Sequence, residues 1–384
     1  CYNALKGYQS LLTANSPLVM DAMHNLANIY FSQHQLPAAE ELYDQALKGK
    51  QRLLGEYHTS TLDTIHNLGV VYFEQGRLQE AEEMCDRALS GKVRVMGEDH
   101  ASVFDTLFQL GTLYRSQGRS KAAEEMYQRA LLGREKVVGV CHPSTLHTVH
   151  HIGNLYLGQG RLQEAEQMQE RALHGYDSTF GHNHTYTLEL AHTLAIVCCQ
   201  RGKLAKAESL FQRVLAAKEQ TDGKRSAPVL AILNNLANVY REQGRLVEAE
   251  ETYKLVLSEW QKRRRTHPAA LGALSNLGII CQDRNQLKEA ERLFKESLNG
   301  YNSELGPDHI LTLDTVCNLG DLYRDQHKAH RAKELYQRAL TGYENILGPD
   351  HPRTQETANK VRLICNCSKP TKRHLIARLW KGGR

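Results

Sequence analysis

The sequence predicts an all-α solenoid of stacked antiparallel helix pairs, and three observations carry that expectation. One short pattern returns at a fixed step along most of the 384 residues. Inside each return, apolar residues fall three and four apart. A glycine or a substitute for it then separates two such stretches. The pattern is NLANIY from Asn25, NLGVVY from Asn67, QLGTLY from Gln109, HIGNLY from His151, TLAIVC from Thr193, NLANVY from Asn235, NLGIIC from Asn276 and NLGDLY from Asn318. Successive copies stand 42 residues apart, except for a step of 41 between Asn235 and Asn276. Self-similarity at such a period marks a repeat architecture and overrides a domain count taken from chain length.

Within the second copy, Leu62, Ile65, Leu68, Gly69 and Tyr72 mark one face of a first helix. Leu78, Ala81, Met84, Cys85, Ala88 and Leu89 mark a second. Gln75-Gly76-Arg77 stands between them, where glycine can take the left-handed conformation that ends a helix. Three copies have His34, Asn285 and His327 there instead. Asparagine tolerates that conformation, and histidine fits it less well. Each hairpin carries an apolar stripe too wide to bury within itself, so neighbours complete the core. Ala39, Ala81, Ala123, Ala165, Ala207, Ala249, Ala290 and Ala332 share one position of the second helix in all eight copies. A larger side chain there would overpack a helix contact, at a cost of roughly 1 to 3 kcal/mol.

A histidine recurs where each new copy begins: His58, His100, His142, His184, His267, His309 and His351, with Ser16 and Ser226 in the same place elsewhere. Proline follows at Pro143, Pro268 and Pro352, the preferred first position of a helix. Glycine precedes by three at Gly55, Gly97, Gly139, Gly181, Gly306 and Gly348, where the previous helix should end. Equivalent helices of neighbouring repeats pack roughly 8 to 10 Å apart, whereas zinc needs each nitrogen at about 2.0 to 2.1 Å. The row therefore reads as a set of helix caps and joints, not as ligands or catalysts.

The order Leu, Gly or Ala, then Tyr in the first helix, followed by Ala, an aromatic and Ala in the second, resembles the tetratricopeptide repeat. Its 42-residue form is similar to the repeats of kinesin light chain. The fuller stretch from Gly306, GPDHILTLDTVCNLGDLY, with YQRALTGYENILGPDHP after it, is similar to the arrays that follow the nucleotide-binding module of fungal STAND-type (NB-ARC or NACHT) signalling ATPases. The resemblance covers nearly the whole chain. It implies a right-handed superhelical solenoid whose first helices line a concave surface. It further implies a non-catalytic module that binds a protein or peptide there, either the sensor or scaffold region of a larger signalling protein or a cargo adaptor like kinesin light chain.

The expected boundaries follow. Residues 1–14 read as the second helix of a truncated preceding repeat, which predicts a chain cut from something longer. Eight repeats occupy 15–350, a capping helix 351–366 and a basic, flexible tail 367–384. Copies five and six are joined without the histidine joint, and the next connection is one residue short, so the groove is expected to break near residues 220 and 265.

Composition excludes several classes. The formal charge of +5 is modest and its signs are interspersed, so no nucleic acid is expected as partner. Lys262-Arg263-Arg264-Arg265 and the tail from Lys369 are the local exceptions. No run of eighteen apolar residues exists to span a membrane. Nine cysteines without a CxxC suit a reducing cytoplasm. Cys198 and Cys281 replace the tyrosine of the pattern, and Cys1 and Cys85 replace an aromatic of the second helix, which makes them core residues. No GxxxxGK[ST], HExxH or GxSxG occurs, so neither an enzyme nor a cofactor or metal is expected.

Function is expected on the concave face. With the recurring Gly or Ala taken as position eight, positions two, five, six, nine, twelve and thirteen of the first helix face the groove. Position six reads Asn25, Asn67, Gln109, His151, Thr193, Asn235, Asn276 and Asn318; position nine adds Asn28, Asn154 and Asn238. The resemblance implies that such asparagines bond to the backbone of an extended peptide, and a carboxamide has the donor and acceptor that a peptide unit needs. The alternative is a local bond to the next helix. Position five adds His24, His66, Phe108, His150 and His192, an aromatic and titratable lining. Arg115, Arg241 and Arg324 at position twelve stand against Glu74, Glu242, Asp283 and Asp325 at thirteen and Asp21, Asp63, Asp105, Glu189 and Asp314 at two. The mixed signs predict no all-basic clamp for a terminal carboxylate.

Overall fold

The computed structural model describes residues 16–262 and 267–367. Among these residues there are seventeen helices and no strand. They fall into two compact units, Cys1–Arg201 and Gly202–Arg384. The first holds α1 (Pro17–Ser32), α2 (Leu36–Leu54), α3 (Thr59–Glu74), α4 (Leu78–Met96), α5 (Ala101–Ser116), α6 (Ser120–Val137), α7 (Pro143–Gly158), α8 (Leu162–Phe180) and α9 (Thr185–Gln200). The second holds α10 (Leu204–Asp222), α11 (Ala227–Glu242), α12 (Leu246–Lys262), α13 (Pro268–Asp283), α14 (Leu287–Glu304), α15 (Ile310–Asp325), α16 (Ala329–Leu347) and α17 (Pro352–Cys367). Residues 1–14, Arg263 to Arg265 and most of the expected tail lie outside the described residues.

The turns explain the hairpins. Gly76 takes φ of 78°, and His34, Asn285 and His327 take 57°, 60° and 59°. The two histidine turns are therefore as regular as the glycine ones, contrary to their propensity. The hydrogen bond from Arg77 N to Tyr72 O at 2.9 Å recurs from Gln35 N to Tyr30 O at 2.9 Å and from Lys328 N to Tyr323 O at 2.8 Å. Closure of the loop outweighs the Cβ strain that a left-handed residue carries.

Packing follows the small residues. All eight recurring alanines are fully buried. Opposite them, a Cβ added at Gly69 would lie 2.9 Å from Cys85 Sγ, and one at Gly111 2.6 Å from the Tyr127 ring. Within each unit, first and second helices of a copy meet there, and each second helix also packs on the next first helix, as α2 does on α3 and α12 on α13. First helices of neighbouring copies touch as well, α3 with α5 in the first unit and α11 with α13 and α13 with α15 in the second. Within each unit the first helices thus form one continuous face.

The QGR turn supplies a second clamp between copies. Arg77 pairs with Glu40 of the preceding copy at 2.7 Å and lies 4.1 Å over the Tyr72 ring, while Gln75 donates to Glu40 at 2.7 Å. Arg119, Arg161 and Arg245 repeat the arrangement with Glu82, Glu124 and Glu208. These arginines join repeats and are not part of the groove.

Candidate functional site

The recurring histidines cap helices. Nδ1 of His58, His100, His267, His309 and His351 accepts the backbone N–H two residues on at 3.2 Å, and that of His142 at 3.3 Å. Each satisfies one of the donors that a helix start leaves free. The Ser226 hydroxyl caps likewise, accepting from Val229 N–H three residues on at 3.4 Å. Ser16 and His184 depart from the expectation, having no side-chain cap bond. The His184 ring instead stacks on Phe180, with centroids 4.8 Å apart.

The amides of the inner face are bonded to one another. Asn67 Nδ2 donates to Asn28 Oδ1 of the preceding copy at 3.1 Å and lies 3.3 Å from His24 Nε2. Asn276 Nδ2 donates to Asn238 Oδ1 at 2.7 Å, and Asn318 Nδ2 to Ser275 Oγ at 3.3 Å. Buried tyrosines of the second helices close these sets, Tyr43 on Asn28 and Tyr253 on Asn238, the latter at 2.5 Å. In the fourth copy Gln169 Nε2 donates to Asn154 Oδ1 at 2.9 Å, Gln169 Oε1 lies 2.8 Å from His150 Nδ1, and Asn154 Nδ2 lies 3.0 Å from His150 Nε2. The local bonds between repeats thus exist, and they hold the amide nitrogens while the side chains stay at the surface. Asn25 is exposed; Gln109 and Asn235 are half-buried.

Side chains from the second helices reach through to this face, which the sequence reading missed. Lys50, Lys92 and Arg134 are buried, and they bond Asp21, Asp63 and Asp105 at 3.0, 3.0 and 2.6 Å. In the last copies the same position holds Tyr301 and Tyr343, whose hydroxyls donate to Pro268 O at 3.1 Å and Asp314 Oδ1 at 2.5 Å. Asp21, Asp63, Asp105 and Asp314 of position two are therefore partnered from within. A row of long polar side chains at the repeat step, inside an apolar stripe, was the signal available in the sequence.

The expected titratable lining is corrected as well. Burial holds His24 and His66 down to about 4, helped by Lys50 and Lys92 respectively. His151 is held down to about 3 by burial first, then by neighbouring histidines and arginines. Its ring stands 4.8 Å from Phe108 and 4.5 Å from His147, with Arg134 5.1 Å over Phe108. These imidazoles are neutral at physiological pH and act as aromatic, hydrogen-bonding wall. Of the arginines, Arg324 pairs with Asp321 at 2.9 Å, Arg241 approaches Glu242 at 3.8 Å, and Arg115 is exposed.

Two hollows open on the inner faces. In the first unit, one of about 190 Å³ is lined by His147, His150, His151, Tyr176, Tyr186, Glu189 and Leu190. In the second unit, one of about 610 Å³ is walled by α11, α13, α15 and α17 and includes Asn234, Asn238, Asn276 and Asn318. It crosses the short connection, so the expected break near residue 265 is not there: Asn238 and Asn276 bond in the register that Asn28 and Asn67 use. Glu356 and Lys360 of the capping helix line this hollow too, with Lys360 2.9 Å from Asp321. No group of three or more His, Cys, Asp or Glu side chains among the described residues is arranged to hold a metal ion. No described helix is long and apolar enough to cross a membrane.

Helix pairs stacked at a fixed step around a polar inner face define a helical-repeat array. This chain belongs to the tetratricopeptide repeat family, whose profiles match residues 18–90, 60–136, 144–220, 228–303 and 273–345, with a further one at 108–179. No curated protein matches it significantly. Among solved structures it is similar to nearly identical TPR-like repeats from Podosopora anserina, named as a kinesin light chain, at 26% identity over 54% of this chain and 99% of that one, with a TM-score of 0.50. The apo form of RapI shares the fold at 13% identity over 74% and 98% of the two chains, with a TM-score of 0.61. A Rap protein complexed with Competence and Sporulation Factor shares it at 12% identity over 91% and 98%, with a TM-score of 0.53.

Proposed function

We propose that this array is a protein–protein interaction module that binds an extended peptide or protein segment along its first-helix face. The observation that carries the reading is the 610 Å³ hollow of the second unit, walled by four first helices and fringed with Asn238, Asn276 and Asn318. A concave site into which fixed polar groups converge is a usual place for a ligand, and here those groups are the amides and hydroxyls of the lining. The bonds between repeats pre-organise those amides and so lower the ordering cost on binding. Tetratricopeptide arrays generally mediate protein–protein contacts, which agrees with this reading.

We place the module in the cytoplasm on its cysteine usage, as the sensor or scaffold region of a larger signalling protein. The alternative is a cargo adaptor, which the Podosopora anserina likeness favours. A phosphate-binding loop in the same polypeptide would support the sensor, and a coiled-coil heptad would support the adaptor. The groove itself is tested by replacing Asn235, Asn276 and Asn318 with alanine. Partner capture in a pull-down is expected to be lost while circular dichroism keeps its helical signal. Unchanged capture would count against the groove.

A further inference from the structure

In the first three copies the second helix sends a cation through to the inner face. Lys50 bonds Asp21 at 3.0 Å and Thr64 Oγ1 at 3.2 Å. Arg134 bonds Asp105 at 2.6 Å, Thr148 Oγ1 at 2.6 Å and Ser144 O at 3.0 Å. Lys92 meets Asp63 in the same way. One step further along the chain every member of this set is changed: Tyr176 stands for the cation, His147 for the acid, Tyr186 for the serine and Leu190 for the threonine. These four residues line the 190 Å³ hollow of the first unit, together with His150, His151 and Glu189. The hollow thus lies at the place where the preceding copies carry a cation of their own.

We propose that this hollow is a subsite for a basic side chain, lysine or arginine, of the bound segment. The proposal rests on the groove reading above and names what the first unit selects. Glu189 is the one acid of the lining, which holds no lysine or arginine. Its backbone carbonyl accepts from Thr193 at 3.0 Å, but among the described residues its carboxylate has no ion pair or hydrogen bond. Lys218, at the cation position of the same copy, pairs with Asp222 at 3.6 Å. The imidazoles of His147, His150 and His151 add no charge at neutral pH, because loss of hydration, first of all, holds each below the ordinary histidine value. A carboxylate in a concavity without a counter-charge draws a cation. Glu189 and Tyr186 are both exposed, so an incoming group can reach them. The walls suit that group as well: the Tyr176 and Tyr186 rings stand 6.4 Å apart at 57°, and a ring face attracts an ammonium or guanidinium within about 6 Å. The chain makes this contact internally, with Arg77 4.1 Å over Tyr72 and Arg161 3.9 Å over Tyr156. An acidic side chain would be repelled by Glu189, and an aliphatic one would leave that carboxylate unmatched.

The test selects binders from a phage-displayed library of random dodecapeptides on the purified chain, then titrates them by fluorescence polarisation. Selected peptides are expected to share a lysine or arginine, and changing it to methionine should weaken binding by about tenfold. Glu189→Gln should remove most of that difference while leaving the affinity of the methionine peptide unchanged, and Tyr186→Leu should reduce it as well. Added salt should shrink the same difference, since the ion pair is exposed. Peptides that need Asn276 and Asn318 yet keep their full preference on Glu189→Gln and Tyr186→Leu would overturn the subsite and leave the groove standing. Peptides that need Glu189 but neither Asn276 nor Asn318 would support the subsite and overturn the groove of the second unit. Selection of peptides without a basic residue would overturn the ligand assignment. A library that gives no binder would overturn the groove and the subsite together.

Discussion

Asn276 Nδ2 donates to Asn238 Oδ1 at 2.7 Å, the same bond between positions six and nine that joins Asn67 to Asn28 at 3.1 Å, although one residue is missing from the intervening connection. The short step is absorbed outside the helix contact, and the inner face keeps its register. Asn238 Oδ1 also accepts from Tyr253, whose ring is fully buried. Replacing Asn238 with alanine should therefore lower stability by about 1 to 3 kcal/mol, because the tyrosine hydroxyl loses its acceptor. Urea unfolding of Asn238→Ala, Tyr253→Phe and the double variant checks this. The double variant should cost less than the sum of the singles, and strict additivity would count against the bond.

Much of the fold was legible because a repeat writes its packing many times over. Ala332 or Gly320 alone says little, but eight alanines and five glycines in register locate the helix contact. The inner face was legible only in part. Position-six amides face the groove as expected, while their partners one copy away could not be read, since they depend on the rotation between repeats. Lys92 and Tyr343 were missed for a related reason: they belong to helices assigned to the outside, and only packing shows how far they reach. The histidine at position five was recognised as a lining group, but its protonation state follows from burial, which sequence does not carry.

Gly320 and Gly272 should respond unequally to the same change. A Cβ at Gly320 would lie 2.8 Å from the buried Tyr336 ring, whose hydroxyl is tied to Asp321 at 2.7 Å, so the ring has nowhere to retreat. Gly320→Ala is expected to lower stability by roughly 1 to 3 kcal/mol through overpacking. At Gly272, in α13, a Cβ would meet only the Tyr301 hydroxyl at 3.3 Å and Asn234 Nδ2 at 3.7 Å, so Gly272→Ala should cost less than Gly320→Ala, and equal losses at both sites in urea unfolding would show the contrast to be wrong.

Thiol reactivity should sort by place in the repeat. Cys141 is exposed in the loop between α6 and α7, whereas Cys85, Cys198, Cys281 and Cys317 are buried. Burial pushes the Cys85 thiol up to about 12 and raises Cys281 and Cys317 as well, so the reactive thiolate is scarce there. Iodoacetamide followed by peptide mass spectrometry should find Cys141 modified first. Labelling of Cys85 as fast as Cys141 in the folded chain would contradict the core assignment.

Stability should fall with acid before most carboxylates begin to titrate. His24 and His66 are held at about 4 and His151 at about 3, against 6.5 for an unburied histidine. Between these values the unfolded chain binds protons that the folded chain does not. Stability from these neutral imidazoles is thus complete above about pH 6.5 and is lost as pH falls toward 4. Each fully depressed imidazole contributes a slope of up to about 1.4 kcal/mol per pH unit in that window. The carboxylates lowered by their partners, such as Glu82 beside Gln117 and Arg119, act below 4.5 and in the same direction, so the interval from pH 6.5 to 5 isolates the histidines. Urea midpoints measured across that interval should drop, and His66→Gln should flatten the drop while leaving the midpoint at pH 7.5 less affected than at pH 5. A midpoint that stays level from pH 7 to 5 in the unmodified chain would mean that these imidazoles are hydrated and not part of the wall.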